Sequence, residues 1–155
     1  MTNRQVAEKW HDQIKDSGHS MNVFFEHEVI YSYGYHFPMA IITKSTHNGR
    51  QIVVQNSYGY SNSTAKHLNY MRAQCYGDAV ITIGTPLLKR LTIPTLSNLD
   101  LKEWKKEAKS EIEARMRDQE AKLSRARADH MKELYKRDIA ENLEQLQALS
   151  SLNNI

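Results

Sequence analysis

A four-residue segment occurs twice in this chain. Ser32-Tyr33-Gly34-Tyr35 returns as Ser57-Tyr58-Gly59-Tyr60, and the second copy runs straight into Ser61-Asn62-Ser63-Thr64. Tyrosine rings can stack on a base or a sugar. A run of Ser, Asn and Thr is a helix N-cap signal, and the free N–H groups and positive end of a helix favour an anion. Lys66 adds charge close by. Tyr33, Tyr35, His36, Tyr58, Tyr60, Ser61, Ser63, Thr64, Lys66 and His67 are therefore the candidate ligand-binding residues. The plainer reading of the same residues is cross-strand tyrosine packing, glycine bulges and an ordinary cap.

A catalytic alternative uses His36 and His67, with Tyr58 or Tyr60 and Lys66. A neutral imidazole would take the proton of a 2′-hydroxyl, and a second group would protonate the leaving oxygen, which is metal-independent RNA cleavage. His27 lies between Phe25 and Val29 and reads as a buried, hydrogen-bonded histidine. His11, His19, His47 and His130 read as surface residues. No close His-x-His or His-x-x-x-His spacing occurs, and the single cysteine excludes an internal disulfide and a multi-cysteine zinc site, so no metal and no cofactor are expected. Cys75 shares a helix face with Leu68 and Met71 and reads as an inert core thiol. Glu26 and Glu28 read as a solvated strand face. Glycine-rich nucleotide loops and a nucleophile elbow are absent.

The elements that must position these residues are legible in outline. Thr2 with Gln5 is a capping box, followed by an apolar stripe at Val6, Trp10 and Ile14 with Gly18 as the stop. Residues 22–33 alternate as one strand, and 36–46 read as a second, with Phe37, Met39, Ile41 and Thr43 on one face. Asn48-Gly49 predicts a type I′ hairpin into a third strand, Arg50 to Ser57. A two-residue loop sets His47 opposite Arg50, Thr43 opposite Val54, Met39 opposite Tyr58, Phe37 opposite Tyr60 and His36 opposite Ser61, unless a bulge intervenes. That register gathers both tyrosine segments at the end of the sheet where the next helix begins. This helix runs to about Tyr76, with Thr64, Leu68, Met71 and Cys75 on one face and Gly77 as its close. Ala79 to Ile83 is a short buried strand by its β-branched content. Thr85 to Thr95, with Pro86 and Pro94, reads as a loop.

From Leu96 onward the character changes. Ser97 with Asp100 is a capping box, and Leu96 with Leu101 is its hydrophobic staple. No Gly or Pro follows, and strong helix formers dominate. Continued to about Leu146, this is one helix of roughly 75 Å. Its apolar positions crowd at the two ends, and the middle, residues 117–130, is nearly all polar. About 95 residues of domain cannot cover such a stripe, so the helix is expected to dock at one end and self-associate at the other. A hairpin bent back on the domain is the alternative, but residues 117–130 carry no turn signal.

The chain has 155 residues and a net charge of +3, too mild to establish a nucleic-acid partner. Residues 98–155 hold 12 basic and 12 acidic residues, so the whole excess lies in residues 1–97, with six of the seven histidines. The basic positions Arg115, Arg117, Lys122, Arg125 and Arg127 are interleaved with acids and read as a solvated helix. No run is apolar enough to span a membrane and the N-terminus is polar, so a soluble cytoplasmic protein is expected.

Residues 31–40, Tyr-Ser-Tyr-Gly-Tyr-His-Phe-Pro-Met-Ala, and 60–67, Tyr-Ser-Asn-Ser-Thr-Ala-Lys-His, resemble an uncharacterised domain of bacteriophage and mobile-element proteins. Those proteins carry a Ser-Tyr-Gly-x-His-Phe-Pro strand and a Tyr-Ser-x-(Ser/Thr)-Thr-x-Lys-His helix start. The resemblance covers roughly residues 28–75 and implies no known reaction. It does imply a phage setting, with the host cytoplasm as location and host machinery or nucleic acid as partner.

The expectation is an α+β fold: a small, mainly antiparallel sheet with covering helices over residues 1–96, then a long C-terminal helix over 97–155 that makes a homo-oligomer. The expected function is non-enzymatic: a phage accessory protein that binds host defence machinery, as an inhibitor, or nucleic acid. A small metal-independent nuclease and a structural phage component are the alternatives. On the structural alternative, truncation after Leu96 should leave a folded domain.

Overall fold

The computed structural model describes residues 1–58, 61–93 and 98–155. Its first helix, α1 (Asn3–Asp12), starts at the Thr2–Gln5 capping box and buries Val6, Ala7 and Trp10. It ends at Gln13 in a left-handed conformation. Gly18 is therefore not its stop, and Ile14 is 80% exposed. Gly18 lies in β1 (Ser17–His19), opposite Phe25, where a Cβ would come within 2.7 Å of the phenylalanine ring.

The alternating run 22–33 is two strands, β2 (Val23–Glu26) and β3 (Val29–Ser32), joined by a tight turn at His27-Glu28. His27 is exposed, with φ +52°, rather than buried between Phe25 and Val29. The turn is held by α1: Trp10 Nε1 donates to Glu28 O at 2.8 Å and Gln13 Nε2 to His27 O at 2.9 Å. Histidine is among the few non-glycine residues that tolerate a left-handed backbone.

β4 (Pro38–His47) and β5 (Arg50–Asn56) form the expected hairpin, with Asn48 and Gly49 both at positive φ. His47 faces Arg50, as the loop length requires. Beyond Thr46 the register shifts, so Ile41 rather than Thr43 faces Val54, and pairing ends at Ala40 with Gln55. Two extra residues of β4 are taken up there, and Thr43 Oγ1 bonds the ladder itself, donating to Ile52 O at 2.8 Å. A second irregularity sets Ile30 opposite Ala40 but Tyr31 opposite Pro38, so Met39 is the extra residue. The bulge switches faces: Met39 and Ala40 join one core and Ile41 the other. The expected single face of Phe37, Met39, Ile41 and Thr43 is thereby divided.

α2 (Asn62–Gln74) is capped by Ser61 and buries Thr64, Leu68 and Met71, with Cys75 at its C-cap. It crosses over to β6 (Ala79–Ile83), which pairs parallel to β5. Thr85 to Leu91 is not loop but α3 (Thr85–Leu91), with Pro86 in its first turn, where proline costs no hydrogen bond. The Ser97–Asp100 box and the Leu96 staple lie outside the described residues.

The C-terminal region is two helices, α4 (Asn98–Arg125) and α5 (Asp129–Ser151), packed together as a hairpin. α4 is long, at 28 residues, but the single unbroken helix does not form. The chain reverses at Ala126-Arg127-Ala128, where Ala128 is extended at the α5 N-cap. The polar middle of the stripe is the tip of this hairpin, and its polarity reflects distance from the core.

Strand order in the sheet is β1-β2-β3-β4-β5-β6, giving an α+β fold with a mainly antiparallel sheet. Both faces are covered. α1 and α2 close one core around Trp10, Phe25, Met39, Leu68 and Met71. α3, α4 and α5 close the other around Ile81, Leu88, Trp104, Ile112 and Leu149. Each fully buried side chain of this size contributes about 1.5–3 kcal/mol. No described helix is long and apolar enough to cross a membrane.

Candidate binding cleft at the tyrosine end

The end of the sheet opposite Asn48-Gly49 holds a cleft of about 250 Å³ lined by Ser32, Tyr33, His36, Phe37, Ser61 and Thr64. Its walls are the β3–β4 connection and the start of α2. The connection is tightly wound: Ser32 N donates to Phe37 O at 3.1 Å, Gly34 N to Ser32 O at 2.8 Å, and Phe37 N to Gly34 O at 3.1 Å. At position 34 a Cβ would come 2.7 Å from His36 Nδ1, so any side chain there would displace the exposed His36 ring. On the other wall, Ser61 Oγ accepts from Thr64 N at 3.2 Å. The first-turn N–H groups of Asn62 and Ser63 stand outside the i→i−4 ladder, as at any helix start.

Tyr33 carries the cleft's strain. Its φ is +66°, and the backbone is pinned there by Tyr33 N donating to Asn22 O at 2.7 Å. A left-handed backbone costs a non-glycine residue about 1–2 kcal/mol. The residue is 51% exposed, and its ring lies 5.3 Å from the His67 ring, centroid to centroid.

His67 is buried at the centre of a hydrogen-bonded chain. Its Nδ1 lies 2.7 Å from Ser32 Oγ and its Nε2 3.3 Å from Asn3 Nδ2. Ser20 Oγ donates to Asn3 Oδ1. Hydrogens assigned to satisfy every member run one way: Ser20 to Asn3, Asn3 to His67 Nε2, and His67 Nδ1 to Ser32. In that assignment His67 donates to Ser32 and has no nitrogen left for a substrate proton. Burial also lowers its pKa, which keeps the ring neutral.

The other candidates are dispersed. Ser63 and Lys66 are exposed on the first turns of α2. Tyr58 is 55% exposed just past β5, its N–H donating to Asn56 Oδ1 at 2.9 Å. Tyr35 is 61% exposed but packs on the other face of the sheet, edge-on to Phe24 and Tyr31, with its hydroxyl donating to Glu26. That bond and burial raise its pKa. Gly59 and Tyr60 lie outside the described residues. The structure thus brings Tyr33, His36, Ser61 and Thr64 together, with buried His67 beside the Tyr33 ring, and sets Tyr35 apart. Sequence reasoning missed Asn3, Ser20 and Asn22, polar residues near the N-terminus that carry no motif.

Among the described residues, the only group of three or more His, Cys, Asp or Glu side chains placed to share a metal lies away from this cleft, at His11, Cys75 and Asp78. Comparison of the chain with protein-family models, curated proteins and solved structures returned no match.

Proposed function

We propose that the chain is a non-enzymatic binding protein that engages single-stranded nucleic acid, with Tyr33 as the stacking platform. The observation that carries this reading is a half-exposed tyrosine held at φ +66°. Glycine or asparagine would make the same turn at less cost, so the ring itself is what the position provides. His36 and the capped start of α2 line the same cleft as Tyr33, and Lys66 is exposed further along the first turns of α2. The resemblance of residues 31–40 and 60–67 to phage and mobile-element proteins supports a phage accessory role in the host cytoplasm.

The test is fluorescence anisotropy with labelled single-stranded DNA and RNA across a salt series. Affinity should fall linearly in log–log form with salt. Tyr33→Gly should weaken it by about tenfold, the scale of one lost base stack, while the melting temperature holds or rises. Absence of binding, or binding indifferent to Tyr33, overturns the reading. A single host protein retained from lysate after nuclease treatment would then mark an inhibitor of host machinery. Cleavage lost in His36→Ala would mark the nuclease.

A further inference from the structure

At the Asn48-Gly49 end of the sheet, three elements deliver three different donor types to one place. His11 comes from the last turn of α1, Cys75 from the C-cap of α2, and Asp78 from the lead into β6. One ligand atom from each, the imidazole nitrogen, the sulfur and a carboxylate oxygen, lies within 4.8 Å of the other two. We propose that His11, Cys75 and Asp78 form a binding site for one divalent transition metal of the zinc class.

The donor chemistry selects the metal. Ca²⁺ and Mg²⁺ take oxygen ligands, whereas a thiolate with an imidazole suits zinc and its neighbours. Charge also balances. A thiolate and a carboxylate neutralise a divalent ion, which removes the cost of a net charge at a site where Cys75 is 3% exposed. The thiol proton is released to solvent on binding.

The geometry needs little adjustment. Zinc bonds of about 2.0–2.3 Å put tetrahedral donors roughly 3.3–3.8 Å apart. His11 Nε2 and Asp78 Oδ2 now touch at 2.7 Å and must part by about 1 Å, while no two of the three donors stand more than 4.8 Å apart. The backbone of the Cys75–Asp78 turn is already fixed, with Asp78 N donating to Cys75 O at 3.0 Å. Gln51 Nε2, on β5, lies 3.3 Å from the same His11 nitrogen and must give it up to the metal, since an amide N–H and a metal ion compete for one lone pair.

The site has a route in. Asp78 lines a groove of about 750 Å³ between β6 and α5, and the His11 and Asp78 side chains are 25% and 10% exposed. Three protein ligands leave a fourth position for water, as in zinc sites that are not fully closed by protein. Distant sequence positions explain why no metal spacing is visible: only the Cys-x-x-Asp pair is local.

The experiment is a Co²⁺ titration of the tag-free full chain by absorption spectroscopy, with Zn²⁺ calorimetry alongside. The expected result is one metal per chain, a near-ultraviolet thiolate-to-cobalt charge-transfer band, and displacement of cobalt by zinc. Cys75→Ser should abolish the band. Because Cys75 is a core residue, His11→Gln and Asp78→Asn serve as second variants, and each should weaken binding by roughly tenfold or more with unchanged circular dichroism. No band and no heat with metal in excess over the protein overturns the proposal. So does metal binding that survives in all three variants. Nucleic-acid binding is independent of this site and tests nothing here.

Discussion

Arg115 Nη2 donates to the carbonyl oxygen of Thr82 at 3.0 Å, and so satisfies that carbonyl on the outer edge of β6 from the side of α4. Gln145 completes the closure from α5: its Oε1 accepts from Thr82 N at 2.8 Å and from Arg115 Nη2 at 3.2 Å. Asn142 Oδ1 accepts from Arg115 Nε at 3.0 Å. A sheet edge with unpaired N–H and C=O groups is a template for another chain. The planar guanidinium bridges strand and helix in a way an ammonium cannot. Arg115→Ala should therefore lower stability by about 2 kcal/mol and promote aggregation, and Arg115→Lys should not rescue either. The checks are the urea midpoint and light scattering on heating. A wild-type midpoint in Arg115→Ala would show that water closes the edge equally well.

His67 makes the fold sensitive to acid. Burial disfavours its charged form, so its pKa lies below the ordinary value. The unfolded chain takes up a proton at about pH 6.5, where the folded chain resists it. The stability contributed by neutral His67 is thus complete above about pH 6.5 and is lost as pH falls from there towards the depressed folded pKa. Melting temperature should drop between about pH 7 and pH 5, and drop less in His67→Gln. An identical pH profile in that variant would assign the acid sensitivity to other groups.

One hydroxyl ties the C-terminal tail to β4, alongside Lys105 Nζ, which donates to Leu152 O at 2.8 Å. Ser45 Oγ, in the irregular part of β4, accepts from Asn153 N at 3.0 Å and Asn154 N at 2.9 Å, and donates to Asn154 O at 2.8 Å. Just before these residues Leu152 is fully buried. Ser45→Ala should cost about 1–3 kcal/mol, and Leu152→Ala about 2–5 kcal/mol. Both should raise hydrogen exchange along β4 more than along β2. Equal exchange in the two strands would mean the tail is not tied to the sheet.

What the sequence made legible follows where a local signal decides the structure. Thr2 and Ser61 cap the helices they announce, Asn48-Gly49 turns the hairpin, and Thr64, Leu68, Met71 and Cys75 share a buried face. The misses occur where tertiary contacts decide. His27 turns a hairpin because α1 grips its carbonyl and that of Glu28. Ala126 to Ala128 reverse the chain without Gly or Pro because packing of α4 on α5 outweighs helix propensity. Pro86 resembles a breaker until its place in the first turn of α3 is known. In the cleft, the approach of Tyr33 to the start of α2 follows from the direction of the hairpin strands although their register shifts, but the burial of His67 does not. It depends on Asn3, 64 positions away in sequence.

The hairpin of α4 and α5 changes what truncation should do. Leu101, Trp104, Ala108, Ile112, Ala148 and Leu149 share one core with Ile41, Val54 and Ile81 of the sheet. Packing is therefore continuous across residue 96, and removing everything beyond it strips one face of the sheet. A chain ending at Leu96 should fail to fold cooperatively, with dispersion lost from its amide spectrum. Removing only the distal arm is different, since buried side chains of the described residues stop at Ile112 on α4 and resume at Asn142 on α5. Replacing residues 117–137 by a short turn should leave the melting transition cooperative. The same arrangement bears on self-association. Pairing α4 with α5 consumes most of the apolar stripe, and Leu143 is the only large apolar side chain described as exposed on the two helices. Sedimentation should then give a monomer at micromolar concentration. A dimer that the arm deletion abolishes would show instead that Leu143 and the half-buried arm residues meet a second copy of this chain.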